Sequence, residues 1–244
     1  MPNMPDAVLL CGGAGLRLKS VTGSTPKAMA SIAGRPFIEL LLRQLARHGF
    51  LRVILAVGYQ KEAIASYFGE RAFGLNLEYS AESSPLGTGG ALCNASQLIE
   101  SDIVLVMNGD TYTNIDLCRF VMGHRQTMAD VSVLVMPADS RDDCGSVLID
   151  QNGKLVRFEE KEPRSDSKYV NAGIYTMSRT ILSSIFPAIQ MSLERELIPR
   201  WLKEGKHINA VCHMGTSTDI GTPERYHRAQ QILSTVESQK ERYL

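Results

Sequence analysis

The sequence lacks most of the features that would commit it to nucleic acid, to a membrane or to a thiol-bound metal. Its 26 Lys and Arg balance 26 Asp and Glu over 244 residues, and the basic residues form no cluster. Without a basic stretch there is no electrostatic footprint for nucleic acid or for an anionic membrane surface, although a small anionic ligand needs only a local positive pocket. No apolar run reaches membrane-spanning length. The amino terminus has neither the charged n-region nor the apolar core of a signal peptide. The five cysteines (Cys11, Cys93, Cys118, Cys144, Cys212) are odd in number and show no CxxC or Cys/His spacing. They are expected to be reduced and mostly buried, in a cytoplasmic protein. No internal repeat, linker or charge run divides the chain, so one domain over residues 1–244 is expected.

What is present is an alternation of apolar runs and helical patterns. Ala7 to Cys11 is a continuous apolar run that stops at Gly12-Gly13, as a strand buried on both faces does. Pro36 opens a segment with Ile38, Leu41, Leu42 and Leu45 at helical spacing, and Gly49 follows as a stop. Strands are expected over Leu51–Val57, Leu75–Ser80 and Ile103–Met107, with helices over Lys61–Phe68 and Thr88–Ile99. This rhythm implies a parallel sheet covered on both faces. The second half is less regular, with strands expected over Val131–Met136, Ser146–Asp150, Leu155–Glu159 and Asn171–Met177. Gln151-Asn152-Gly153 supplies a hairpin turn, which points to antiparallel additions. Helices are expected over Ser192–Lys203 and from Pro223 to about Gln239. In parallel sheets ligands bind beyond the carboxyl ends of the strands, so the loops after Cys11, Ser80 and Met107 should converge.

The first of those loops reads Gly12-Gly13-Ala14-Gly15-Leu16-Arg17-Leu18, with Pro26-Lys27-Ala28-Met29 close behind. Glycines let the backbone approach a phosphate and aim N–H groups at its oxygens, and Arg17 and Lys27 would add charge-assisted contacts. The loop is neither GxxxxGK[ST] nor GxGxxG, because Leu18 stands where the latter needs a small residue. Read alone, it is equally a tight βα turn with a solvated Arg.

The whole string is more specific. Leu10-Cys11-Gly12-Gly13-Ala14-Gly15-Leu16-Arg17-Leu18 followed by Pro26-Lys27-Ala28-Met29 resembles the LxGGxGxRLxxxxxxPKxM signature of sugar-1-phosphate nucleotidylyltransferases. The resemblance continues through Pro85 to Ala91, Asn108-Gly109-Asp110, Asn171 to Tyr175 and Asp219 to Pro223, in the family's order. It implies an α/β fold, a Rossmann-like three-layer sandwich of the nucleotide-diphospho-sugar transferase type. A mainly parallel central sheet would carry antiparallel additions in the second half.

The resemblance also implies roles. Leu10, Cys11, Gly12, Gly13, Gly15, Glu82, Pro85, Gly87, Thr88, Asn108 and Gly109 would bind the nucleotide. Asp110 and Asp219 would hold Mg²⁺, an ion that typically takes one or two carboxylates and fills its remaining positions with phosphates and water. Read without the family, each aspartate is equally a solvated turn residue. Lys161, in Phe158-Glu159-Glu160-Lys161, matches the lysine of the family's FxEK segment and would contact the phosphate of the sugar phosphate. Asn171 and Gly173 would lie along the sugar, and Glu194 falls in a segment whose acidic residue helps bind sugar hydroxyls. Glu194 and Glu196 also read as ordinary surface residues of a helix.

The implied reaction is in-line displacement at the α-phosphorus of a nucleoside triphosphate by a sugar-phosphate oxygen, with pyrophosphate leaving. Arg17 would stabilise the pyrophosphate, while Lys27, Lys161 and Mg²⁺ neutralise the converging phosphates. No Ser/His/Asp or Cys/His constellation stands out, in keeping with direct transfer. The resemblance places Glu82 where thymidylyl and many uridylyl relatives carry Gln against the base edge. A carboxylate only accepts hydrogen bonds, and guanine offers two adjacent donors where thymine and uracil offer one. GTP is therefore the favoured nucleotide. Within the family the resemblance is closest to the D-glycero-α-D-manno-heptose 1-phosphate guanylyltransferases, which supply GDP-heptose for bacterial surface polysaccharides such as capsule and lipopolysaccharide. Mannose 1-phosphate guanylyltransferases and UTP- or dTTP-using relatives are the enzymatic alternatives. A nucleotide-sugar-binding regulatory paralogue is the non-enzymatic one, and family habit points to a homo-oligomer.

Overall fold

Continuous apolar runs flanked by glycine bury both of their faces only if helices cover the sheet on each side. The computed structural model has that arrangement, and it describes residues 3–13, 15–58, 61–138, 145–159, 167–187 and 190–240. The chain begins with β1 (Asp6–Leu10), the short α1 (Lys19–Thr22), the small hairpin β2 (Ser31–Ile32) and β3 (Arg35–Pro36), and α2 (Phe37–Arg47). It continues through β4 (Arg52–Val57), α3 (Lys61–Phe68), β5 (Arg71–Ala72), β6 (Leu75–Ala81) and α4 (Gly87–Ala95). Next come β7 (Ile103–Asn108), β8 (Thr111–Thr113), α5 (Leu117–Thr127) and β9 (Val131–Pro137). The second half holds β10 (Ser146–Ile149), β11 (Leu155–Glu159), β12 (Tyr169–Ser178) and α6 (Arg179–Leu182). It closes with α7 (Ile198–Lys203), β13 (Ile208–Cys212), β14 (Ser217–Asp219) and α8 (Pro223–Lys240).

One large sheet runs β11-β10-β12-β7-β1-β4-β6-β5, with β9 on the other edge of β12 and β13 beyond it. Strands β7, β1, β4 and β6 are parallel neighbours. Strand β12 lies antiparallel to β7 and to β9, while β10 and β11 form an antiparallel hairpin on its first residues. Alternate strand residues feed two separate cores. Ala7 and Leu9 of β1, Val53 and Leu55 of β4, and Leu105 and Met107 of β7 pack with α2, α3, α5 and α8 on one face. Val8, Ile54, Val104 and Val106 pack with α4, α6 and α7 on the other, around the fully buried Trp201. Each such aliphatic side chain stabilises the fold by about 1.5–3 kcal/mol relative to an exposed one. The result is a three-layer sandwich.

Several expectations shift. Pro36 is the residue that caps α2 rather than its first helical residue. The single helix expected over Ser192–Lys203 is a π-helical turn, Leu193–Leu197, that runs into α7. Helix α5 and strands β8, β13 and β14 had no expectation attached. Among the described cysteines, only Cys11 is buried; Cys93 and Cys118 are half-buried and Cys212 is exposed.

Candidate active site

The carboxyl ends of β1, β4, β6 and β7 lie side by side, and two cavities open there. The first, of about 460 Å³, is lined by Leu10, Gly12, Gly58, Glu82, Pro85 and Thr88 among others. Glu82 follows β6 directly. Its Oε2 accepts a hydrogen bond from Leu86 N at 3.0 Å. A Cβ on Gly12 would fall 2.6 Å from its Oε1, so only glycine lets the carboxylate lie against the first loop. Burial raises the Glu82 pKa, and the Leu86 N–H opposes that rise. Gly87 and Thr88 begin α4, also on this wall.

The second cavity, of about 430 Å³, shares Leu10 and Gly13 with the first and adds Gly15, Arg17, Lys27, Gly109 and Asp110. Gly15 has φ +60, and a Cβ there would meet Lys27 Cβ at 2.9 Å, so the loop and the lysine pack only with glycine between them. Arg17 is exposed over the cavity on a single helical turn. The Lys27 ammonium lies on Asp110 Oδ2. Burial pushes the Asp110 carboxyl up, but the charge and hydrogen bond of Lys27 and the Thr111 hydroxyl more than reverse this, leaving it below the ordinary range. Cys11 packs under Gly109, and burial raises its thiol so far that it is no nucleophile.

Asp110 and Asp219 are brought together by a ribbon too short to read from sequence. Strands β8 and β14 pair antiparallel with Thr111 opposite Asp219, and Ile220 N donates to Asp110 O at 3.0 Å. Asp219 Oδ1 accepts from Gly221 N at 2.8 Å, and Arg225 Nη1 lies 3.2 Å from Oδ1 and 3.3 Å from Oδ2. The described residues hold no cluster of three or more His, Cys, Asp or Glu suited to a metal. Two carboxylates, of which Asp110 lines the cavity and Asp219 adjoins it through the ribbon, nevertheless fit an ion that takes most of its oxygens from phosphate and water.

Strand β12 approaches Asn108 at Gly173, but its residues line neither cavity. That strand pairs with β10 through Tyr169 and Val170 and with β7 from Ile174 onward, and the break falls on Asn171-Ala172-Gly173. Gly173 has φ +71, and a Cβ there would strike Asn108 Nδ2 at 2.7 Å. Asn171 Oδ1 accepts from Gly173 N at 3.0 Å, and its Nδ2 donates to the Tyr175 hydroxyl at 2.6 Å. That hydroxyl donates to Glu194 Oε1 at 3.1 Å, and Thr88 Oγ1 donates to Glu194 Oε2 at 2.6 Å. Glu194 is therefore a buried hub with three donors, Ser192 Oγ being the third at 3.1 Å, and not the surface residue its helical setting suggested. Asn108 Oδ1 is buried without a hydrogen-bond partner among the described residues. Lys161 lies outside the described residues, just past the end of β11.

The structure thus gathers Leu10, Cys11, Gly12, Gly13, Gly15, Arg17, Lys27, Glu82, Pro85, Gly87, Thr88, Gly109 and Asp110 around the paired cavities, with Asp219 joined to Asp110 through the ribbon. Arg225, Thr111 and Tyr175 were missed. Arg225 and Tyr175 act on residues six and four positions away in the chain, and nothing in a linear pattern marks such pairs.

Comparison with known proteins identifies a family and a fold. A family profile described as nucleotidyl transferase matches residues 6–235. The mannose-1-phosphate guanylyltransferase of Mycobacterium tuberculosis is 36% identical over 93% of this chain, which spans 64% of that longer protein. The D-glycero-alpha-D-manno-heptose 1-phosphate guanylyltransferase of Aneurinibacillus thermoaerophilus is 32% identical over 93% of this chain and 98% of its own length. Among solved structures, HddC from Yersinia pseudotuberculosis complexed with GMP-PN superposes with a TM-score of 0.82, at 32% identity, over 94% of this chain and 100% of that one.

Proposed function

The chain belongs to the nucleotidyl transferase family, and from that premise we propose that it transfers GMP from GTP to D-glycero-α-D-manno-heptose 1-phosphate, releasing pyrophosphate. The observation that carries this reading is the pair of joined cavities, one holding a carboxylate and the other two basic side chains and an aspartate. Glu82 accepts hydrogen bonds from N1–H and the 2-amino group of guanine, a pairing that uracil and thymine, with one donor between two acceptors, do not match. The amide groups around Gly12, Gly13 and Gly15 line the path of the triphosphate, with Arg17 reaching the β- and γ-phosphates. Lys27 leaves Asp110 for the phosphates when the triphosphate binds and stabilises the charge that builds on the α-phosphate in the transition state. Asn108, through its unpartnered Oδ1, accepts a hydrogen bond from a ribose hydroxyl. Asn171 and Gly173 border the sugar, and Lys161 meets its phosphate.

Mg²⁺, held by Asp110 and Asp219, would supply further neutralisation of the phosphate oxygens. The protein's own part is alignment: the two substrates meet in line over the end of β7, and no protein nucleophile is needed. Magnesium, a cytoplasmic setting and a homo-oligomeric state belong to this proposal.

The second reading is mannose 1-phosphate as acceptor, favoured by the 36% identity to the Mycobacterium tuberculosis protein. The reading of a regulatory paralogue is disfavoured because Arg17, Lys27, Asp110 and Asp219 are all present. A matrix of GTP, UTP, dTTP and CTP against heptose, mannose and glucose 1-phosphates, read by pyrophosphate release, tests all of these. GTP with the heptose phosphate is expected to be fastest. Preference for a pyrimidine nucleotide would refute the base assignment, and faster turnover of mannose 1-phosphate would refute the heptose assignment.

A further inference from the structure

Both carboxylates assigned to the metal already carry a cation belonging to the protein. The Lys27 ammonium sits on Asp110 Oδ2, with only 14% of the lysine side chain exposed. Arg225 Nη1 spans both oxygens of Asp219. The two ion pairs adjoin, since a Cβ on Gly221 would lie 2.9 Å from Asp219 Oδ1 and 3.9 Å from Lys27 Nζ. Arg225 is held in place from the first turn of α8, where its backbone N approaches Thr222 Oγ1 at 3.4 Å.

Two carboxylates, one ammonium and one guanidinium sum to zero charge. A divalent cation arriving alone therefore competes with resident cations for the same oxygens. A nucleoside triphosphate alters that balance. It brings several negative charges into the cavity that Lys27 lines, and it offers the lysine phosphate oxygens in exchange for Asp110. Arg225 has no comparable reason to move, because the cavity lining includes Lys27 and Gly221 but not Arg225.

We infer that Arg225 is a positioning residue that pins Asp219 and, together with Lys27, keeps the aspartate pair from loading a divalent cation until a nucleoside triphosphate is bound. This rests on the transferase reading for its purpose: metal and nucleotide enter as one unit, and idle metal binding is suppressed. The assay, however, reads metal binding and not turnover.

Free Mn²⁺ is titrated against the full chain and followed by electron paramagnetic resonance, with and without GTP and with a GTP-only control. Wild type is expected to take up Mn²⁺ strongly only when GTP is present. R225Q and K27M should each take up Mn²⁺ alone at concentrations about tenfold lower than wild type does. R225K, which keeps the charge, should behave as wild type. Should R225Q melt early in a thermal scan, K27M carries the test, since Lys27 lies on a single short helical turn at the cavity wall. Unchanged Mn²⁺ uptake by the charge-removing variants, or tight uptake by wild type without GTP, would overturn the inference. Failure of every nucleotide and sugar phosphate pair to release pyrophosphate would instead sink the transferase reading, and the Mn²⁺ titration would still decide the counter-ion role.

Discussion

The base-side and phosphate-side cavities are nearly equal in volume, about 460 and 430 Å³, and share Leu10 and Gly13. They differ in what their walls carry. The base side has one carboxylate, Glu82, which accepts a backbone N–H and packs against glycine, in a wall whose other side chains are uncharged. The phosphate side has opposite charges in contact, Lys27 with Asp110, and an exposed Arg17 above them. A carboxylate that only accepts hydrogen bonds can choose between bases but has little to offer a phosphate. Lysine and arginine side chains beside an aspartate can neutralise phosphates but cannot tell one base from another. The proposed activity needs both, so damage to one cavity should leave the other's property measurable.

That separation can be broken in graded steps. The largest effect is expected from Asp110→Asn, which should lower kcat about 10³-fold with every nucleotide and leave the GTP to UTP ratio unchanged. Retained turnover would remove Asp110 from the metal site. Glu82→Gln should do the reverse. It leaves kcat on the best nucleotide within a few-fold and cuts the GTP to UTP ratio in kcat/KM about 10²-fold. Gly173→Ala probes the seam where β12 meets Asn108, because it places a Cβ in the left-handed region against Asn108. We expect about a tenfold loss of kcat/KM for the sugar phosphate, with a smaller change for GTP. Equal losses for both substrates would show that the seam serves the whole site.

The smallest effect is a pH dependence. Burial raises the Glu82 carboxyl above the ordinary glutamate value of about 4.3. A raised carboxyl is ionised only above its shifted pKa, so guanine recognition is complete at high pH and is lost as pH falls through that value. The KM for GTP should therefore rise in wild type as pH falls toward the ordinary glutamate range and stay flatter in the Gln variant. Identical profiles would place the titrating group elsewhere.

Much of the ligand-binding edge was legible in the sequence because its residues sit just after segments that read as strands. Ala7 to Cys11, Leu75 to Ser80 and Ile103 to Met107 announce parallel strands, and the loops leaving such strands lie at a ligand-binding edge. The chemistry of the phosphate side was only partly legible. Asp110 and Asp219 stood out in short turns, but the ribbon that joins them has three residues on each strand, too few for an alternation to register. The Arg225 pair and the Tyr175 to Glu194 chain depend on contacts between elements and have no linear signal. Glu194 shows the same point from the other direction. Its position on a helical turn reads as solvent-facing, and only the packing of that turn on Thr88 and Tyr175 buries it.

The most direct test of the account is a reaction of wild-type protein with GTP, D-glycero-α-D-manno-heptose 1-phosphate and magnesium, with products identified by mass spectrometry. The account predicts stoichiometric GDP-heptose and pyrophosphate, and release of pyrophosphate about 10²-fold slower when UTP replaces GTP at the same concentration. GTP left intact, or a UDP-sugar formed faster than the GDP-sugar, would contradict it.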